Sequence, residues 1–201
     1  MNYQVRTGFR LFEKIFSFYF NKGLESAKNN NISLALDSLT KALSYNPYST
    51  DALNLTGLCL YRLGRFKNAE FYWLRSIEID STSNQALSYL GDLKKSMENL
   101  ESEYSVVMDL LEKKNYRKAL GLFDEKVYAK FSKSVDILNF LGILNLLSGN
   151  NRQAIKIWKE VLIIDTMNYD ALSYLTVVKE DRLSELKFKI KNFVSGITKH
   201  G

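Results

Sequence analysis

The sequence predicts an all-α fold of tandem helix–turn–helix repeats, with about nine helices. One proline and ten glycines are spread over 201 residues, too few turn residues for a protein made of many short strands. The stretch LGRFKNAEFYWLRSIEID at 63–80 returns as SGNNRQAIKIWKEVLIID at 148–165, an offset of 85 residues. A packing pattern that recurs in this way is typical of stacked structural units.

The first helix of a repeat is seen in two copies, DALNLTGLCLYRLG at 51–64 and DILNFLGILNLLSG at 136–149. Gly57 inside such a helix costs about 1 kcal/mol relative to alanine, which is acceptable if another helix packs against the bare backbone there. The closing glycines, Gly64 and Gly149, suit helix C-termini, where a left-handed residue is favoured.

The second helix of each repeat carries an alanine followed four residues later by a large side chain. These pairs are Ala35/Leu39, Ala69/Trp73, Ala119/Phe123 and Ala154/Trp158. Residues four apart share a helix face. The alanine therefore leaves room for a neighbouring helix, and the large residue fills the space beside it.

These segments resemble the tetratricopeptide repeat family. Its signature positions fit Leu53, Gly57 and Leu60 in the first helix and Ala69, Trp73 and Ser76 in the second, and Pro47 fits the proline that closes a repeat. Gly23, Gly57 and Gly91 are spaced by the family's 34 residues. The pattern is clearest at 50–83 and 135–168, is recognisable at 16–49, and at 100–133 has Val107 in place of the glycine. The resemblance implies a right-handed superhelix.

One step between repeats is longer, 50 residues from Ala69 to Ala119. The additional residues contain no glycine or proline and predict one long helix from about 84 to about 113, with a break near Asn99 as the alternative. We therefore expect residues 1–98 to hold an N-terminal extension, two repeats and the start of this helix. Residues 99–201 would hold two further repeats and a capping helix from 169 to about 195, its inward residues being Leu172, Leu175, Val178 and Leu183.

The residues for catalysis are scarce. The only histidine is His200, the only cysteine is Cys59, and no phosphate-binding motif is found. We therefore predict no enzyme activity, metal site or cofactor. The net charge of +6 is spread evenly over the two halves, which disfavours a nucleic-acid binder, and the C-terminal lysines are interpreted as a solvated helix face. Without a signal sequence or membrane-spanning stretch, the cytoplasm is the expected compartment.

The family resemblance implies that a segment of a partner protein binds in a concave groove lined by the first helices. Mapped onto this chain, the groove residues are Asn54, Leu58, Tyr61, Arg62, Ser88, Asp92, Lys95, Asn139, Ile143 and Leu147. The positions of the family's carboxylate clamp fall on Phe20, Leu24, Leu55, Gln85 and Tyr89, none of the required type. Asn54 and Asn139 are predicted to pair with a peptide backbone; solvation or capping within the protein is the alternative.

Self-assembly into a homodimer is the second functional hypothesis. An apolar inner patch of Ile143, Leu146 and Leu147 is one candidate surface. The other is an aromatic stripe at helical spacing near the N-terminus, formed by Phe9, Phe12, Phe16 and Phe20. Such a stripe most often belongs to a core, and a helix that faces a partner or a membrane surface is the alternative.

Overall fold

The computed structural model describes residues 3–82, 84–179, 182, 184–188 and 190, and side chains from residue 10 onward. Its described part is helical and contains no strand. The helices are α1 (Tyr3–Lys28), α2 (Ile32–Tyr45), α3 (Thr50–Leu63), α4 (Phe66–Ile79), α5 (Ala86–Met97), α6 (Leu100–Glu112), α7 (Tyr116–Phe123), α8 (Ala129–Phe131), α9 (Val135–Leu147), α10 (Asn151–Ile164) and α11 (Tyr169–Lys179). A π-helical turn, Asp124–Tyr128, joins α7 to α8. The predicted all-α helical-repeat fold is confirmed.

The chain divides into two compact units, residues 1–95 and 96–201. In the first unit, α1 packs against α2, α2 against α3, and α3 against α4. In the second unit, α6 packs against α7, α7 and the π turn against α9, and α9 and α11 against α10. Neighbours in sequence are thus neighbours in space, as expected for a chain of helical hairpins.

The seam between the two helices of a repeat forms where the sequence predicted it. A Cβ atom added to Gly57 would lie 2.6 Å from Cδ1 of Trp73, and one added to Gly142 would lie 2.9 Å from Cδ1 of Trp158. Both tryptophans are fully buried. The helices approach closely only because these two positions carry no side chain, and the closing Gly64 and Gly149 adopt the expected left-handed conformation, with φ of 96° and 92°.

The weaker repeat, in the second unit, keeps this seam with different side chains. Val107 occupies the glycine position and Phe123 the tryptophan position, and both are fully buried. A larger residue on the first helix is thus combined with a smaller ring on the second. This exchange conserves the total volume, which packed cores tolerate well.

The predicted long helix from 84 to 113 is wrong, and the alternative break near Asn99 is correct. Helix α5 ends at Met97 and α6 begins at Leu100. Between them Asn99 has a φ of 63°, the left-handed region that asparagine enters more easily than most residues. The Ser102 hydroxyl donates to the Asn99 carbonyl at 2.9 Å and closes the first turn of α6.

The π turn between α7 and α8 is a second interruption that the sequence did not predict. Ala119, Phe123, Val127 and Phe131 recur every fourth residue, and all four are buried. In a straight α-helix each step of four residues rotates the side chain by about 40°, so the last would drift off the core face. A wider i→i+5 turn offsets part of this drift. The two interruptions explain why eleven α-helical segments stand where about nine helices were predicted.

The predicted capping helix is also interrupted. Helix α11 ends at Lys179, and Arg182 lies outside any helix, its backbone N–H donating to the Val177 carbonyl. Leu172, predicted to face inward, is 41% exposed, since α11 packs through the fully buried Ala171 instead. Leu175 and Val178 are half-buried. Leu183 and the predicted end near 195 lie outside the described residues.

Candidate functional site

The predicted groove residues of the first unit lie on α3 and α5. On α3, Asn54, Leu58, Tyr61 and Arg62 are half-buried, whereas the seam residues of the same helix, such as Leu53, are fully buried. On α5, Ser88, Asp92 and Lys95 are exposed. We call these seven residues the inner face of the first unit. The fully buried seam fixes α3 from one side and leaves this face open to solvent.

Tyr61 is held at the inner face by a group of aromatic rings. Its ring lies 5.6 Å from that of Phe66 and 6.1 Å from that of Trp73, and Tyr89 lies 5.5 Å from Trp73. Burial raises the pKa of Tyr61, and the negative charge of Asp92 raises it further. The phenol therefore stays protonated at neutral pH and keeps its ability to donate a hydrogen bond.

Asn54 is joined to the turn that precedes α5. Its Nδ2 donates to Oδ1 of Asn84 at 2.9 Å, and the same oxygen accepts the backbone N–H of Ala86 at 2.9 Å. Asn84 in turn donates from Nδ2 to the Ser76 hydroxyl at 2.8 Å and to the Asp80 carbonyl at 3.1 Å. The Asn54 carbonyl accepts Nε1 of Trp73 at 3.3 Å. Asn54 thus links three helices of the first unit.

The second unit repeats this arrangement. Nδ2 of Asn139 donates to Oδ1 of Asn168 at 3.1 Å, and that oxygen accepts the backbone N–H of Ala171 at 3.0 Å. The sequence analysis missed both capping asparagines, because Asn84 and Asn168 are 84 residues apart and an 85-residue alignment pairs Asn84 with Tyr169. An asparagine shortly before each ALSYL segment was the signal that could have identified them.

The inner face of the second unit is much less accessible. Asn139 and Leu147 are buried, and only Ile143 of the three predicted groove residues is half-buried. Leu146 is completely buried, so the predicted exposed apolar patch of Ile143, Leu146 and Leu147 does not exist. The reason is the composition of α9, which is apolar around nearly its whole circumference and is therefore buried on nearly every side.

The side chains that could perform chemistry are dispersed. Within the described ranges, no group of three His, Cys, Asp or Glu side chains comes together to hold a metal ion. Burial raises the pKa of the Cys59 thiol to about 12, so the thiolate needed for nucleophilic attack is scarce at neutral pH. In the same described part of the chain, no helix is long and apolar enough to cross a membrane.

Comparison with known proteins identifies the repeats. Residues 20–86 match the tetratricopeptide repeat family. An uncharacterized protein of Methanocaldococcus jannaschii, MJ0572, is 30% identical over 63 residues, which are 31% of this chain and 73% of that protein.

Among solved structures, the P58(IPK) TPR domain is 16% identical, with a TM-score of 0.49 over 92% of this chain and 51% of that chain. This chain thus spans about half the length of that one. YrrB is 16% identical, with a TM-score of 0.35 over 79% of this chain and 90% of that chain. MamA from Desulfovibrio magneticus RS-1 is 16% identical, with a TM-score of 0.38 over 93% and 98%. From its repeated seams and these sequence matches, the chain belongs to the tetratricopeptide repeat family.

Proposed function

We propose that this chain is a protein-interaction scaffold, and that the inner face of its first unit binds an extended segment of a partner protein. The observation that supports this proposal is the contrast within α3. Its seam residues are fully buried against α4, while Asn54, Leu58, Tyr61 and Arg62 remain half-buried on the opposite side. A rigid helix pair with one open, chemically mixed face is suited to binding another chain rather than to catalysis, and we assign it no catalytic step.

The side chains of the inner face offer complementary contacts. Leu58 and the ring of Tyr61 provide apolar surface, and the protonated Tyr61 phenol can donate to a backbone carbonyl. Arg62 gives a preference for an acidic residue in the partner. Asp92 and Lys95 lie exposed along α5 and are available for charged side chains of either sign.

In the second unit, Ile143 is the most accessible of the predicted contacts, and Asn139 and Leu147 are buried. We therefore propose that Ile143 makes a smaller contribution to partner binding than the first unit does.

The proposal is tested with a peptide selected from a random library on the intact protein. Leu58→Glu and Arg62→Glu, made separately, should each weaken binding of the selected peptide by about tenfold or more, because each removes a contact and introduces a charge. The matched controls are Phe71→Ser on the exposed side of α4 and Lys156→Glu on α10, both at exposed positions. These should leave the affinity unchanged.

The fluorescence of Trp73 offers an independent measurement. A Trp158→Phe variant leaves Trp73 as the only tryptophan, and its ring contacts those of Tyr61 and Tyr89 at the inner face. A bound peptide should alter this emission. If Leu58→Glu and Arg62→Glu bind the peptide as well as the original chain does, the inner face is not the binding surface.

A further inference from the structure

Helix α1 extends well past the helix against which it packs. It has 26 residues and α2 has 14, which at 1.5 Å per residue gives lengths of about 39 and 21 Å. Tyr45, the last residue of α2, lies 6.1 Å from Phe12 and 6.1 Å from Tyr19, measured between ring centroids. The part of α1 that precedes Phe12 therefore lies beyond the end of α2.

The exposure of the side chains shows where this packing stops. Residues 10–14 are all exposed, whereas from residue 15 onward half-buried positions alternate with exposed ones. Five successive helical residues point in directions about 100° apart and so cover the whole circumference. No other part of the first unit thus encloses α1 at residues 10–14.

The side of α1 that faces away from α2 combines cations with large apolar side chains. Leu11, Lys14, Phe18 and Lys22 are spaced by three or four residues and share this side, with Arg10 beside them. Leu11 is 56% exposed and Phe18 62% exposed. We call these five residues the outer surface of α1. Over residues 1–22 the sequence carries four Lys or Arg residues and one acid, Glu13, so this end of the helix is basic.

We propose that the outer surface of α1 docks on the anionic lipid headgroups of a membrane surface. A helix with cations on its polar side and Phe or Leu beside them lies in the plane of the interface, with the apolar side chains at the boundary between headgroups and acyl chains. The cations gain from the negative surface potential of such a membrane. A second copy of the chain would bring Arg10 and Lys14 against like charges, so charge complementarity favours lipid. This site is separate from the inner face.

Vesicle co-sedimentation of the full chain tests this proposal. Vesicles of phosphatidylcholine with about 30% phosphatidylserine should bind the chain, vesicles of phosphatidylcholine alone should bind it much less, and salt near 1 M should release it. Arg10→Glu combined with Lys14→Glu should weaken partition by at least about 25-fold, since each basic residue at the surface contributes about fivefold. Leu11→Ser combined with Phe18→Ser should also weaken partition, by removing the apolar contacts.

Two control variants carry the same changes at other exposed positions. They are Lys156→Glu with Lys159→Glu on α10, and Phe71→Ser with Leu74→Ser on α4. Equal binding to both kinds of vesicle, or an equal loss in the control variants, would overturn the proposal. So would a chain that ignores vesicles but forms a dimer that the α1 substitutions dissociate. Circular dichroism verifies that each variant is folded, and peptide binding at the inner face should be unchanged in the α1 variants.

Discussion

Asn54 and Asn139 hold equivalent positions in two repeats, and in both cases the side-chain amide donates to the asparagine that caps the next helix. The internal role that the sequence left as an alternative is thus present, and a direct contact with a partner stays a prediction. The Oδ1 atoms of both residues are buried and accept no hydrogen bond within the described part of the protein.

The first prediction concerns these two asparagines. Asn54→Ala and Asn139→Ala should each lower the free energy of unfolding by about 1 kcal/mol, because a buried side-chain hydrogen bond is lost. For a chain of this size the melting temperature should fall by about 2–4 °C, measured by circular dichroism. An Asn54→Ala protein that melts normally but binds the selected peptide more weakly would show that the main role of Asn54 is contact with the partner.

The second prediction compares two glycines that the sequence places at equivalent repeat positions. At Gly57 an added Cβ would collide with the ring of Trp73, which is 1% exposed and cannot move aside, whereas at Gly91 nothing lies within 4 Å. Gly57→Ala should therefore destabilise the protein by about 1–3 kcal/mol through overpacking. Gly91→Ala should stabilise it by about 0.5–1 kcal/mol, since alanine is the better helix former. Chemical denaturation measures both, and shifts of the same sign would contradict this account of the seam.

Among single residues, the seams were predictable and the caps were not. Gly57 and Trp73 recur as Gly142 and Trp158 at a constant offset, because each repeat must pack in the same way. The capping asparagines slip by one position, since a cap needs only an oxygen near the first backbone N–H groups and tolerates a different distance along the chain.

At the scale of helices, ends marked by glycine were predicted well. Gly64 and Gly149 end α3 and the region after α9 in left-handed conformations. The end of α5 has no such marker. Residues 92–113 contain neither glycine nor proline, and the left-handed turn is formed by Asn99, a residue that helices also accept. The π turn was equally hidden, because a spacing of four residues is compatible with an uninterrupted α-helix.

The third prediction tests the break between α5 and α6. Asn99 has a φ of 63°, a conformation that costs most residues about 1–2 kcal/mol and costs glycine nothing. Asn99→Ala should therefore destabilise the protein by about 1 kcal/mol, and Asn99→Gly should have little effect or a small stabilising one. Thermal melting monitored by circular dichroism compares the two. A stabilising Asn99→Ala together with a destabilising Asn99→Gly would instead indicate a continuous helix at this position.

At the scale of the whole molecule, the repeats predicted the fold but not the accessibility of each unit. The inner positions of α3 and α9 align residue by residue, yet Tyr61 and Arg62 are half-buried while their counterparts Leu146 and Leu147 are buried. Burial depends on what surrounds a helix, and α9 is apolar on nearly every side. An alignment of repeats gives register and face, and it cannot give the surroundings of that face.

The fourth prediction is that the chain is a monomer in solution. The inner apolar patch proposed for a homodimer is absent, because Leu146 and Leu147 are buried in the core of the second unit. The remaining candidate is the N-terminal part of α1, where Phe12 is 55% exposed. A symmetric contact there would place Arg10 and Lys14 of two copies side by side, and unscreened like charges oppose such a contact. Sedimentation equilibrium at micromolar concentration should therefore give the mass of one chain, at low salt as well as at high salt. A mass twice as large that returns to one chain in a Phe12→Ser variant would show that the aromatic contact outweighs the repulsion.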